Sequence, residues 1–276
     1  PNFRNTDKLI RFSASAIETD RLKDFGYKTS KTGFSFGTSF EFLNNFDIGL
    51  GNSNYYEKID TDSNASARQK TQEGNYWDSF LNLDFDLDNR NQKYQASEGF
   101  RSQYFIDLPL ISETATLQNT YVFKYFTELF ENNISSASIF LRSSTSLKDE
   151  NIKLSERINI PSNRLRGFER GKVGPKDGND FIGGNYAATI NFTSTIPQIL
   201  ENSENIDFLV FFDAGNLWGV DYFDGDDEGS EIRSATGVAV DWLTPVGPLN
   251  FTLALPVTKA DSDKTETFRF NIGISF

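Results

Sequence analysis

The 276-residue chain contains no cysteine, no histidine and no methionine. Without Cys or His, zinc sites, iron–sulfur clusters, His-ligated haem and Cys/His or Ser/His nucleophilic chemistry are excluded. Disulfide scaffolds go with them, so cysteine usage carries no information on redox compartment. Without Met there is no encoded start residue, and the expectation is a mature piece or a fragment of a longer chain. Positive charge is also scarce. Lys and Arg number 27 against 39 Asp and Glu, a formal net charge of −12, which argues against a nucleic-acid partner. No stretch approaches the ~18 consecutive apolar residues of a transmembrane helix, and none has the form of a signal peptide.

What is present in excess is phenylalanine, 27 residues against 10 Tyr and 3 Trp, in a chain that is only 37% hydrophobic. The mean hydropathy is −0.47. So many aromatic side chains are incompatible with disorder. Low average hydropathy joined to many aromatics is the composition of a membrane β-barrel, in which every second residue faces lipid and the rest face water.

The periodicity agrees. Phe268, Phe270, Ile272, Ile274 and Phe276 share one parity, with Arg269, Asn271, Gly273 and Ser275 on the other. A helix would mix these two sets on one stripe; a strand separates them. The same alternation recurs at Leu249–Leu255, Val238–Trp242, Tyr186–Phe192, Leu81–Leu87 and Phe34–Phe42. Weaker versions lie at 7–18, 46–57, 98–109, 115–127, 135–146 and 206–218. Together they predict about twelve strands, each near the ~9–11 residues of a tilted membrane strand. Connections alternate too. Thr244–Pro248, Pro197–Asn205 and Leu43–Asn45 are short, whereas Lys259–Lys264, Gly219–Glu231, 148–183 and Glu57–Asn75 are long and polar. The segment 110–115 is a short exception on the long-loop side. Short periplasmic turns opposite long external loops are the barrel arrangement, and they put the C-terminus on the periplasmic side. A soluble β-sandwich would also alternate, but it would bury the apolar parity. The predicted fold is therefore all-β, an antiparallel transmembrane β-barrel, with no helical periodicity and no second domain.

Four ordered motifs are more specific. The long segment before the Tyr186 strand reads Leu165-Arg166-Gly167-Phe168, then Gly174-Pro175, then Ile182-Gly183-Gly184-Asn185. After it come Phe211-Phe212-Asp213-Ala214-Gly215-Asn216-Leu217-Trp218, Trp242-Leu243-Thr244-Pro245-Val246-Gly247-Pro248-Leu249, and Phe268-Arg269-Phe270-Asn271-Ile272-Gly273. Asp88-Asn89-Arg90 with Ser97-Glu98-Gly99-Phe100 adds an earlier turn. In this order the segments resemble the BamA family of outer-membrane β-barrel assembly factors, within the bacterial surface antigen family. The likeness spans about 75–276 by motif and the remainder by pattern alone.

The resemblance implies a barrel of roughly sixteen strands. Residues 1–276 would then form the C-terminal part of one barrel domain, with the family's first strands and periplasmic domains absent. It implies assembly and insertion of outer-membrane proteins through a lateral seam, without covalent chemistry, cofactor or metal. The implied partners are outer-membrane protein substrates, accessory assembly lipoproteins and the bilayer of the bacterial outer membrane. A related translocation pore, such as a two-partner secretion channel or an autotransporter assembly factor, shares the loop motif and is the alternative; a passive porin is a more distant one.

Parity puts Asp213 on the wet face with Asp207, opposite Phe208, Val210 and Phe212. The resemblance pairs this carboxylate with Arg166, with Gly167 allowing a tight turn and Phe168 packing the loop inward. The family's second wall acid falls at Asn191, so a thinner network is expected. The resemblance also makes Phe268, Phe270, Asn271, Gly273 and Phe276 the seam strand. Gly273 would be its kink and Phe276 the terminal recognition residue.

Other signals are weaker. Asp224–Gly229 lacks the spacing of a calcium loop. Asp84, Asp86 and Asp88 share one face, as a wet lumen requires. Gly167–Lys172 lacks the spacing of a phosphate loop. Sequons at Asn133, Asn191 and Asn250 lie in or beside predicted strands, where glycosylation is not expected.

Overall fold

The computed structural model describes residues 9–21, 26–93, 95–197, 205–221, 231–245 and 247–272, with backbone alone at 18–21. The strands are β1 (Leu9–Arg21), β2 (Tyr27–Leu43), β3 (Phe46–Thr61), β4 (Gly74–Asp88), β5 (Gly99–Ile111), β6 (Thr116–Thr127) and β7 (Ser135–Ser146). A small hairpin follows, β8 (Lys176–Asp177) and β9 (Asp180–Phe181). Then come β10 (Tyr186–Ile196), β11 (Ile206–Trp218), β12 (Arg233–Thr244), β13 (Gly247–Thr258) and β14 (Phe268–Ile272). All but β8 and β9 form one 12-stranded sheet, and β7 pairs with β10 across the long excursion between them. Each strand pairs antiparallel with its sheet neighbour. Among the described residues β1 and β14 are the edges.

The two faces follow the sequence parity. In β10, Ile190 and Phe192 are 45% and 49% exposed, whereas Thr189 and Asn191 are 1% and 8% exposed. Phe34, Phe36, Val238, Leu253, Leu255, Phe268 and Phe270 are likewise exposed on the outer face. A soluble sandwich would reverse that assignment, so the sandwich alternative fails. No helix among the described residues is long and apolar enough to cross a membrane; the strands supply the span.

Two expectations are corrected. Strands β2 and β3 run longer than their apolar alternation, to Tyr27 at one end and Thr61 at the other. The extra residues are mostly polar (Lys28, Thr29, Ser30, Lys31 in β2), so pairing continues where the outward face no longer needs apolar side chains. The external connection after β3 also holds a helix, α1 (Ala67–Thr71). Ser66 caps it, accepting from the Gln69 N–H, while the Gln69 side chain accepts from the Ser66 N–H. That reciprocal capping box stabilises a helix too short for periodicity to reveal.

The apolar core lies between the inner face and the 147–185 excursion, which folds back onto it. Ile158, Ile160, Leu165, Phe168 and Val173 of the excursion pack on Phe140, Ala187, Leu217 and Ala235 of the wall. The outer face should report its solvent directly. Phe192→Arg should cost about 2–4 kcal/mol in vesicle-embedded protein, whereas Phe192→Leu should be nearly neutral. Denaturant titration in lipid vesicles reads both, and an Arg variant as stable as the Leu variant would contradict a lipid-facing β10.

Candidate functional site

The site is built where the excursion meets β10 and β11. Asn191 and Asp213 are directly opposed across these strands. Asp213 is fully buried. A buried carboxylate is costly unless its oxygens accept several hydrogen bonds. Here Arg166 Nε and its backbone N–H donate to Oδ2 at 2.7 and 3.0 Å, and Arg166 Nη2 donates to Oδ1 at 2.7 Å. Asn191 Nδ2 donates to the same Oδ1 at 2.8 Å. The guanidinium also lies 3.6 Å from the Phe211 ring centroid. Such a bidentate, ring-stacked arginine is held in direction as well as position.

Asn191 stays in this network. Its amide bridges Asp213 and the Arg164 carbonyl, at 2.7 Å from the latter. A neutral residue here adds no second buried charge and supplies two donated hydrogen bonds.

Gly167 has φ +89°. A Cβ on it would stand 3.0 Å from Ala235 Cβ and 3.3 Å from Ala254 Cβ, so both backbone and space require glycine. Phe168 is 2% exposed within the apolar core. Gly174 has φ +95°, and a Cβ would meet Leu217 Cδ2 at 2.8 Å. The Pro175 carbonyl accepts from Ile182 N at 3.1 Å, which closes the small hairpin.

Three further anchors carry no motif in the sequence. Lys153, 1% exposed, reaches Asp78 at 2.5 Å, Glu156 at 3.1 Å and Glu57 at 3.7 Å. Burial pushes this ammonium down, but Glu156, Asp78 and Glu57 together outweigh it and its pKa ends above the ordinary lysine value. Burial pushes the Glu156 carboxyl up, with Lys153 opposing. Arg157 pairs with Asp221 at 2.6 Å, and Asn185 donates to the other oxygen of that carboxylate. Arg233, fully buried, pairs with Asp263 at 2.9 Å. Apart from Glu156, three residues from Lys153, the partners lie far apart in sequence, which is why parity alone misses them.

Of the seam residues, Phe268 and Phe270 face outward, and Phe270 packs on Phe251 with ring centroids 4.9 Å apart. Asn271 faces inward toward Asn250. The run Asp224–Gly229, Gly273 and Phe276 lie outside the described residues. Asp86 and Asp88 are paired with Arg101 and Arg90 on the inner face. Among the described residues no group of three or more Asp or Glu could hold a metal ion.

A family profile, the Omp85 superfamily domain, matches residues 1–276. The outer membrane protein assembly factor BamA of Neorickettsia risticii is 22% identical over 275 residues, covering 96% of this chain and 37% of that one. The solved BamA of Haemophilus ducreyi lacking POTRA domains 1–3 superposes with TM-score 0.77 at 22% identity, over 88% of this chain and 54% of that one. CdiB from Acinetobacter baumannii superposes with TM-score 0.62 at 11% identity, over 96% and 48%. At such identities the superpositions establish the fold. The chain spans about a third to a half of the length of these proteins.

Two substitutions test the anchoring. Arg166→Ala strands a buried carboxylate and should destabilise the loop by about 3–5 kcal/mol, while Arg166→Ala/Asp213→Ala should cost less. Protease cleavage within 147–185 and heat-modifiable gel mobility measure this; equal losses would refute the pairing. Lys153→Met leaves Glu57, Asp78 and Glu156 together. Because the Glu156 pKa is raised, the repulsion grows as pH rises through it and is relieved below it. The variant loop should therefore be cleaved fast at neutral pH and regain protection in mild acid; protection independent of pH would overturn this.

Proposed function

The chain belongs to the Omp85 superfamily, and from that premise we propose that it belongs to a factor that inserts β-barrel proteins into the bacterial outer membrane through a seam ending at β14. The observation that carries this reading is the Leu165–Phe168 segment, pinned by Arg166 to Asp213 on the inner face and touching the edge strand β14. A closed barrel offers no strand edge. Inserting a new barrel needs one, so the last strand must part from the first and present its main-chain groups to a substrate strand, by β-augmentation. A loop braced against β11 keeps the inner face in place while that edge moves.

No covalent step enters this function; shape, strand pairing and lipid contact carry it. The partners are unfolded outer-membrane proteins, the bilayer and, on the periplasmic side, accessory assembly lipoproteins. The translocation-pore alternative has support from the CdiB-like fold. Ile158, Ile160, Leu165, Phe168 and Val173 pack on Phe140, Ala187, Leu217 and Ala235 of the inner face, so a conduit would have to pass beside this packed excursion.

In the full-length protein, Cys at Phe270 or Ile272 should crosslink to a strand of a nascent barrel during assembly, and Arg166→Ala should reduce the yield of folded substrate several-fold. Crosslinks confined to the inner-face segment 164–172 would favour a pore. Undiminished assembly by Arg166→Ala would remove the loop from the mechanism.

A further inference from the structure

Arg269 points inward from β14 and ends on the Leu165–Phe168 segment. Its Nη1 donates to the Ser162 carbonyl and its Nη2 to the Phe168 carbonyl, both at 2.7 Å. Nε and Nη2 also donate to one oxygen of Glu266, at 2.9 and 2.6 Å. The two carbonyls bracket the residues whose other side holds Asp213. The backbone follows the same path: Glu266 N donates to the Gly167 carbonyl at 3.0 Å and Glu169 N to the Lys264 carbonyl at 3.0 Å. Phe168 and Thr265 form an antiparallel bridge. An open cavity of about 450 Å³ borders the contact, lined by Ser162, Glu169, Arg170, Lys172, Glu266, Arg269 and Asn271. Water therefore reaches groups released from it, and the contact is able to break without stranding a buried charge.

We propose that Arg269 is the positioning residue that couples the seam strand to the pinned loop, so that the start of β14 and the segment 162–169 are ordered or released together. The inference rests on the seam reading for its consequence, since only a strand that moves needs such a coupling. Its physical content stands on the contacts alone. A charged donor shared among two carbonyls and a carboxylate transmits position in both directions, because coupling between two sites is reciprocal. Loosening the Arg166 end must loosen β14, and loosening β14 must loosen the loop.

Hydrogen exchange on the full-length protein in lipid vesicles tests this. Arg269→Gln should speed exchange roughly tenfold both at 268–272 and at 162–169. Arg166→Ala should speed exchange at 268–272, and should add little to it in the Arg269→Gln background. Arg269→Lys, which retains the ion pair with Glu266, should restore part of the protection. A change confined to 268–272, or simple addition of the two substitutions, would overturn the coupling. Substrate assembly is measured in the same vesicles. Wild-type protein that assembles nothing would sink the seam reading, whereas unchanged exchange in Arg269→Gln would sink the role of Arg269 and leave the seam reading standing.

Discussion

The buried carboxylate of Asp213 is the constraint around which the inner face is organised. Full desolvation of an ionised acid is tolerated only with strong donors in fixed places. Two of its four hydrogen bonds come from the Arg166 guanidinium, one from the Arg166 backbone and one from Asn191 on the neighbouring strand. A loop as long as 147–185 would ordinarily be mobile. Here one residue must enter the wall with both side chain and backbone aligned, and that requirement sets the path of its neighbours. Lys153 and Arg157 fix the entry to the excursion, and Asn185 fixes its exit.

The wall beneath the loop is shaped for this approach. Ala187, Ala235 and Ala254 present small side chains where the loop lies closest, and Gly167 completes the fit with no Cβ of its own. Large apolar groups instead point to the outer face, where lipid is their solvent. One sheet thus serves two media. Its outer parity is mostly apolar, with a few polar residues such as Asn52, Asn54 and Asn119, and its inner parity is mostly polar, with buried exceptions such as Phe80, Phe126, Phe140, Phe211 and Leu217. The low mean hydropathy of the chain and its abundance of Phe are both consequences of this division.

Parity made the strands, the faces and the Asp213 orientation legible in the sequence, because period-2 alternation is a local property. Resemblance then paired Asp213 with Arg166, which spacing alone could not have done across 47 residues. Lys153 was not legible: its carboxylates come from β3, β4 and its own turn, and no local pattern links them. The helix α1 did leave a trace, the Ser66-Ala67-Arg68-Gln69 capping pattern, but inside a polar loop that periodicity passes over. Arg269 was visible as an inward residue. Its partners were not, since the Ser162 and Phe168 carbonyls belong to the backbone and have no signature in residue type.

The anchors differ in what breaking them would cost, and the difference assigns them different roles. Arg233–Asp263 and Lys153 with its carboxylates are almost wholly out of water. Removing either partner strands a charge, so these pairs act as permanent fastenings. Arg269 and Glu266 retain 14% and 35% of their side-chain exposure beside an open cavity. There water replaces a lost hydrogen bond, and the net value of each bond falls toward that of a partly exposed ion pair. Among these contacts, Arg233–Asp263 and the Lys153 cluster are buried, while Arg269 of β14 and Glu266 just before it keep some access to water. The Arg269–Glu266 contact beside β14 is joined through the Phe168 and Gly167 carbonyls to the segment that carries the Arg166–Asp213 pin.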